Sequence, residues 1–494
     1  MRKKLPIFYS ALLLTGVNLL LRLVSTSFQV HISARIGAAG VGLLQLVLSV
    51  GALAMTASMA GVRTSTMYLT AEELGKNRPQ NVIWVLSGCF LYSLLCSGTV
   101  ATVLYLAAPM VAEHWIGDMQ TVNAIRLYAT IIPLVCLCGC MTGYFTAANR
   151  IGTLAAVEIA EQLCYMVVTM TALQFWAGSD PARACEAVVL GSGISSCLTL
   201  FCLILLRLME RPPTGPRIPV RHRLLETAVP LGLADNLKAG ISTTENLMVP
   251  KRLALFSGEL TPLATFGTVC GMVFPVLMFP AAILFALAEL LIPELARCNA
   301  AGSQQRIRYL TQKSLRMAML YGCACSGILY LIAVPLCQSL YDSTQAGIYL
   351  QRYSVLIPML YCDAITDSMT KGLGQQKACV RYNILTSAMD VLFLFFLLPR
   401  WGMDGYFLSF TVTHLLNFCL SLRRLLQITK IRISFYIPAF TCSATLIAVM
   451  GSTFLTGVAA RILIFIALWC SLLTLLRILS FSDLQWLKGL LRKK

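Results

Sequence analysis

Apolar residues fill runs of twenty to thirty positions along nearly the whole chain, divided by short polar breaks. A helix needs about 20 apolar residues to cross the hydrocarbon core of a bilayer. Runs of that size predict spans at 7–33, 41–70, 82–108, 121–147, 152–177 and 184–208. The first real break is 210–223, ERPPTGPRIPVRHR, whose prolines and charges neither continue a helix nor remain in lipid. Eight further spans are predicted near 224–250, 263–291, 312–339, 346–370, 378–398, 405–422, 436–457 and 459–480.

The pattern therefore predicts an all-α polytopic membrane protein with about fourteen transmembrane helices and both termini on one side. The two halves look related. AEEL at 71–74 closes the second span as IPEL at 292–295 closes the eighth, and TGYFTAANR at 142–150 parallels MTKGLGQQK at 369–377. We expect an N-terminal lobe at 1–209, a cytoplasmic linker at 210–223, a C-terminal lobe at 224–430 and two appended helices at 431–482. The two six-helix lobes would form a pseudo-twofold repeat about an axis along the membrane normal, enclosing a cavity. The tail at 483–494 spaces its leucines helically with bases between them and reads as an amphipathic helix on the inner leaflet.

Composition agrees: 57% hydrophobic, 12% charged, in a chain of 494 residues. Such a balance excludes an ordinary soluble enzyme. The net charge of +18 would suggest nucleic acid in a soluble protein, but in a membrane protein it is first a topology signal. With the N-terminus in the cytoplasm, 28 of the 39 Lys and Arg fall in cytoplasmic segments and six in outer loops. The excess then needs no nucleic-acid partner, and the chain is placed in the cytoplasmic membrane with both termini inside. The basic, apolar start at 1–14 has no small-residue cleavage site after it and reads as a retained first helix.

Chemistry of the covalent kind finds no support. The 19 cysteines lie in apolar runs, and pairs such as Cys136 and Cys138 put neighbours on different helix faces with no histidine partner, so neither a metal site nor a disulfide framework is expected. The four histidines fall in separate segments, and no nucleotide-binding loop of the form GxxxxGK[ST] is present. The sequence predicts no enzyme activity and no resident cofactor. Transport would be driven by a gradient, by the membrane potential or by consumption of product.

Ionisable residues inside a span cost roughly 2.5–3.5 kcal/mol each on insertion scales and so mark water, a partner or a substrate. Arg22 falls halfway along the first span, Arg63 toward the cytoplasmic end of the second and Lys238 midway along the seventh. A hydrated cationic cavity explains the three together. Snorkelling of Arg63 and pairing of Lys238 with Asp235 at i−3 are the local alternatives. Residues 1–71 contain no acid, so an anionic cargo fits this half better than a cationic drug. The second half carries Asp235, Glu245, Glu289, Asp363, Asp367 and Asp390. Of these Glu245, Asp363, Asp367 and Asp390 are candidates for a coupling-ion site taking Na⁺ or H⁺, with pairing to Lys238 and Lys371 as the alternative.

NLLLRLVSTSFQVHISARIGAAGVGLLQ at 18–45 and AGVRTSTMYLTAEELGKN at 60–77, with YFTAANRIGTLAAVEIAEQL at 144–163, ENLMVPKRL at 245–253 and KGLGQQK at 371–377, form a pattern in order and spacing. It resembles the stage V sporulation protein B-like exporters of the multidrug, oligosaccharidyl-lipid and polysaccharide exporter superfamily. The resemblance implies a two-lobed, fourteen-helix alternating-access flippase for polyprenyl-diphosphate-linked saccharides such as a peptidoglycan precursor; separately, we expect a monomer. It also implies that Arg22, Arg35 and Arg63 line the cavity and meet the diphosphate. The chain departs from the pattern at Ala147, where relatives often have Gly, and at Glu245, where an Asp is common. The competing readings are a cation-coupled multidrug exporter of the same superfamily and a non-transporting membrane scaffold.

Overall fold

A computed structural model describes residues 7–478 except 60, 77, 149, 178–179, 210–220, 259–260, 432–435, 455–456 and 477. The linker expected at 210–223 falls almost wholly outside the described residues, and the amphipathic tail at 483–494 wholly so. Among the described residues the chain is helical throughout and no strand occurs. In a bilayer this is what an open chain must do, because every backbone N–H and C=O has to be satisfied within its own segment.

The helices are α1 (Ile7–Met59), α2 (Val62–Gly75), α3 (Val82–Met110), α4 (Val122–Ala147), α5 (Ile151–Ala172), α6 (Pro181–Met209), α7 (Arg221–Leu253) and α8 (Pro262–Gly267). They continue as α9 (Phe274–Met278), α10 (Ala281–Ala300), α11 (Gln304–Tyr341), α12 (Thr344–Ser354), α13 (Ile357–Gly372), α14 (Gln376–Thr429), α15 (Tyr436–Thr453) and α16 (Val458–Leu475).

Nine helical segments among the described residues are long and apolar enough to cross a membrane, and ten if the pair bent by 64° between Met278 and Ala281 is one span. The protein is a multi-pass membrane protein; the count of fourteen is not established by length and composition. The differences have physical causes. The expected breaks at 33–41 and 398–405 are single glycines inside unusually long helices, Gly37 (φ 71°) in α1 and Gly402 (φ 54°) in α14. A side chain at either would clash with its own backbone, so glycine alone turns the chain there cheaply. The 54 residues of α14 would extend about 80 Å if straight, more than twice the core thickness. The expected span at 224–250 is α7, whose charged residues at 235, 238 and 245 keep it too polar for the length-and-hydropathy criterion. The expected span at 346–370 is divided into α12 and α13 at Val355–Leu356, ahead of Pro358.

The chain resolves into two compact units, residues 1–271 with 391–403, and residues 272–390 with 404–494. In the first, α7 packs on α1 and α2, and α8 on α1. The α1–α8 contact is backbone to backbone: a Cβ on Gly267 would lie 2.0 Å from the Ala38 carbonyl oxygen, and one on Gly42 2.3 Å from that of Leu263. In the same unit α4 carries a core cluster, with Met141, Tyr144 and Phe145 buried against Leu154 and Val157 of α5, Leu203 of α6 and Val82 of α3.

The second unit is built around a broken segment. Prolines 275 and 280 interrupt the hydrogen-bond ladder between α8 and α10. Carbonyls along this segment are met by three tyrosines from neighbouring helices: Tyr341 donates to Met272, Tyr361 to Leu277 and Tyr321 to Pro280, at 3.2, 3.1 and 2.8 Å. A break in lipid is tolerated when neighbours supply partners in this way. Phe274 stacks on Phe410 and meets Tyr353 edge-on, which seats the segment against α12 and α14.

Candidate functional site

Two groups of polar side chains stand inside this apolar frame, one in each unit. The first contains the expected cations. Arg22 lies on α1, and its side chain is outside the described residues. Arg35 is exposed two residues before the Gly37 break, Arg63 is exposed on the first turn of α2 just after the left-handed Gly61, and Lys238 is exposed on α7. Arg35 and Arg63 thus sit beside the positive-φ glycines at which the chain changes direction.

The backbone at Arg63 is held closely. A Cβ on Gly143 of α4 would lie 2.6 Å from the Arg63 carbonyl oxygen, and one on Gly139 2.9 Å from the Met59 side chain. Val62, buried beside it, shares a core cluster with Cys140 of α4 and Leu224 and Ala228 of α7. Arg63 is therefore an exposed cation on a closely packed backbone.

Lys238 and its neighbour Asp235 are both exposed on α7. One turn and a half further on, α7 is tied to α1 by a small polar network. Thr243 donates to the Ser49 carbonyl at 3.0 Å, Asn246 Nδ2 donates to Ser49 Oγ at 3.0 Å, and Ser49 Oγ donates to the Gln45 carbonyl at 2.7 Å. Glu245 is half-buried between Thr243 and Asn246. Beyond it a cavity of about 340 Å³ opens, lined by Leu53, Trp115, Thr243, Met248, Lys251 and Arg252 among others. Its two cations are already engaged. Lys251 Nζ donates to the His114 carbonyl, and the Arg252 guanidinium lies 3.3 Å from the centroid of the Phe395 ring. Arg35, Arg63 and Lys238 are not among its lining residues.

The second group holds three of the four candidate ion ligands. Asp390 of α14 is buried, 8% exposed, and accepts from Ser409 Oγ at 2.5 Å and Thr413 Oγ1 at 3.2 Å after the chain has turned back at Gly402. Asp363 of α13 accepts from Asn417 Nδ2 on both oxygens, at 3.2 and 3.1 Å. Asp367, one turn further, pairs with Lys371 at 2.7 Å. Ser409, Thr413 and Asn417 follow one another at four-residue spacing, so one face of the returning half of α14 serves both Asp390 and Asp363. Burial raises the cost of each carboxylate, and these donors offset it. Within this group Asp367 Oδ1 and Asn417 Oδ1 are buried and have no hydrogen-bond partner among the described residues. Oxygen-rich surroundings of this kind suit a hard monovalent cation or a proton.

Glu245 lies in the first unit, while Asp363, Asp367 and Asp390 lie in the second. Among the described residues no group of three or more His, Cys, Asp or Glu has the arrangement to hold a metal ion. Two acids of the first unit are missed by the sequence reading, Glu158 and Glu161 of α5. Both are half-buried, and Arg63 lies within electrostatic reach of Glu158. The signal available is two acids three residues apart in an apolar helix, AAVEIAEQL.

Scanned against models of protein families, the sequence matches none. It is similar to stage V sporulation protein B of Bacillus subtilis (strain 168), with 21% identity over 410 residues that cover 79% of this chain and 77% of that protein. Among solved structures it is similar to the lipid II flippase MurJ in an inward closed conformation, with a TM-score of 0.71 and 11% identity over 96% of this chain and 99% of that one. It is also similar to an inward-facing multidrug resistance MATE family transporter of the MOP superfamily, with a TM-score of 0.68 and 12% identity over 85% of this chain and all of the other. The chain has the fold of MOP-superfamily transporters, and the resemblance read from its motifs is borne out. The solved structures it resembles are of a flippase and a transporter, not of enzymes.

Proposed function

We propose that the protein is an alternating-access flippase that moves a polyprenyl-diphosphate-linked saccharide across the cytoplasmic membrane, with both termini inside. The observation that carries this reading is Arg63, an exposed cation on a backbone clamped to α4, in the unit that also holds Arg22, Arg35 and Lys238. Exposed membrane cations on fixed backbones bind an anionic headgroup without first breaking a buried salt bridge. The similarity to a sporulation protein and the fold shared with a lipid II flippase support the same cargo class. Two negative charges on a diphosphate gain roughly 4–5 kcal/mol per 100 mV when moved outward across a membrane that is negative inside, so the membrane potential is a sufficient drive.

The second unit favours an added role for a cation. Asp390, Asp363 and Asp367, with Ser409, Thr413 and Asn417, form the site we assign to a coupling Na⁺ or H⁺, and Glu245 is a separate candidate on α7. The same site is what a cation-coupled multidrug exporter would use, and the fold shared with a MATE transporter keeps that second reading in view.

Reconstitution separates them. Full-length protein in proteoliposomes is given a fluorescent polyprenyl-diphosphate saccharide in one arm and a cationic dye in the other, with and without a sodium or proton gradient. The flippase reading predicts movement of the lipid and none of the dye. Gradient-dependent dye efflux without lipid movement would replace it with the exporter reading.

A further inference from the structure

The polar face of the returning half of α14 does not end at Asn417. Ser421 follows at the same four-residue spacing, so Ser409, Thr413, Asn417 and Ser421 stand on one face of the helix. The first two are committed to Asp390, to which Ser409 Oγ donates at 2.5 Å and Thr413 Oγ1 at 3.2 Å. The last two have oxygens to spare. Ser421 is 1% exposed, and its Oγ is buried with no hydrogen-bond partner among the described residues. Asn417 gives Nδ2 to both oxygens of Asp363, which leaves its Oδ1 turned from that carboxylate, buried and unpartnered.

Asp367 lies across from them. Two contacts set α13 against this half of α14: Asp363 meets Asn417, and Gln375, just past the end of α13, accepts from Arg424 Nε and Nη2 at 3.1 and 2.6 Å. The two helices therefore run in the same direction. Asp367 and Ser421, each one turn beyond the Asp363–Asn417 contact, fall on the stretch between the two contacts. Asp367 Oδ2 pairs with Lys371 at 2.7 Å, whereas Oδ1 is buried and unpartnered. One oxygen of this carboxylate thus faces an ammonium that is 39% exposed, and the other faces the interior.

We infer that Asp367 Oδ1, Asn417 Oδ1 and Ser421 Oγ are ligands of one dehydrated sodium ion, and that Lys371 is a tethered charge competing with it for Asp367. The inference rests on the coupling-ion reading of the second unit and refines it. The ion rests at the end of the group where α13 stops, not at Asp390, which already holds two hydroxyl donors. Ser421 joins the site, and the choice between sodium and a proton is made by the oxygens. Those of an ionised Asp367 and of the Asn417 amide can only accept. Leaving them buried without a positive partner costs free energy. A proton on Asp367 supplies one donor to one acceptor, whereas a hard cation that takes several oxygen ligands meets all three at once. Asp363, one turn away on α13, adds negative charge that favours a cation there. Lys371 balances Asp367 from its exposed side, so its ammonium lowers the affinity for the ion without filling the ion's place.

The test follows the thermal midpoint of full-length protein in neutral detergent as sodium chloride replaces choline chloride at constant ionic strength. A ligand that binds only the folded state raises the midpoint with its concentration, and the half-saturating concentration reports its affinity. The unaltered protein is expected to be stabilised by sodium and not by choline. Ser421→Ala has no hydrogen bond to lose, so its midpoint in choline should equal or exceed that of the unaltered protein, while half-saturation by sodium rises about fivefold or more. Asp367→Asn should abolish the sodium response. Lys371→Ala should lower the half-saturating concentration roughly two- to fivefold, the worth of a partly exposed ion pair, a tightening that a purely structural lysine would not produce. If Asp390→Asn abolishes the sodium response while Ser421→Ala and Asp367→Asn leave it intact, the ion lies elsewhere in the unit: the coupling-ion reading stands and this inference is wrong. If sodium stabilises none of the proteins and a proton gradient alone drives transport in proteoliposomes, the reading stands with a proton and the inference is again wrong. If neither sodium nor a proton gradient has any effect, both fall.

Discussion

The two units treat their charges in opposite ways. In the first, Arg35, Arg63 and Lys238 stay exposed, the two arginines beside helix breaks, on helices held by close backbone packing at Gly143 and Gly267. In the second, Asp390 and Asp363 are drawn inward and each is met by donors from one face of α14. A cation that must receive a large, variable anion gains from exposure and a stiff backbone. A carboxylate that must hold a small ion, or a proton, gains from burial and a fixed set of oxygens. The difference teaches that one fold can leave charges exposed beside helix breaks in one unit and enclose them in side-chain hydrogen bonds in the other.

The comparison can be broken most forcefully at the backbone contact of the first unit. Gly267→Val puts a branched side chain where even a Cβ would meet the Ala38 carbonyl at 2.0 Å. It is expected to destabilise the protein by about 3 kcal/mol or more, seen as a large drop in the thermal midpoint of detergent-purified protein. An unchanged midpoint would show that the α1–α8 contact is looser than described.

The next effect falls on the buried network. Asp390→Ala leaves Ser409 and Thr413 without their shared acceptor and should cost about 1–3 kcal/mol, whereas Asp390→Asn keeps an acceptor oxygen and should cost clearly less. Equal losses in a thermal melt would mean the charge itself, and not the hydrogen bonds, holds the two halves of α14 together. Asn417→Ala should cost about 1–2 kcal/mol by uncovering Asp363, measured the same way.

The smallest effect belongs to the exposed pair. Lys371→Ala removes the partner of Asp367 at an i,i+4 spacing with the lysine 39% exposed, so screening limits the loss to under about 1 kcal/mol. A larger loss would place Asp367 inside the Asp390–Asp363 network and sharpen the contrast with the first unit.

Most of the architecture is legible in the runs of apolar residues, because lipid leaves helices as the only open-chain solution. The limits of α3, α4 and α6 match the expected spans within a few residues. Continuity is not legible. Gly37 and Gly402 turn the chain without ending the helix, and α7 is helical despite a polar composition because it is packed on α1 and α2. The candidate residues are legible one at a time as charges in apolar runs. Their partners are not, since Asp390 with Thr413 and Asp363 with Asn417 are joined by packing that sequence spacing does not encode. The tyrosines that satisfy the broken α9 segment are a further case: nothing in their local sequence distinguishes Tyr341 or Tyr361 from ordinary core aromatics.

The central claim is that the exposed cations of the first unit carry a lipid-linked diphosphate across the membrane. It is tested most directly by the rate at which full-length protein in proteoliposomes moves a fluorescent polyprenyl-diphosphate saccharide, compared between the unaltered chain and the Arg63→Ala, Lys238→Ala double variant at matched incorporation. The account predicts a fall of at least about a hundredfold, the combined effect of removing two charge-assisted hydrogen bonds to the diphosphate. Movement at the unaltered rate, with the variant folded and correctly inserted, would contradict it.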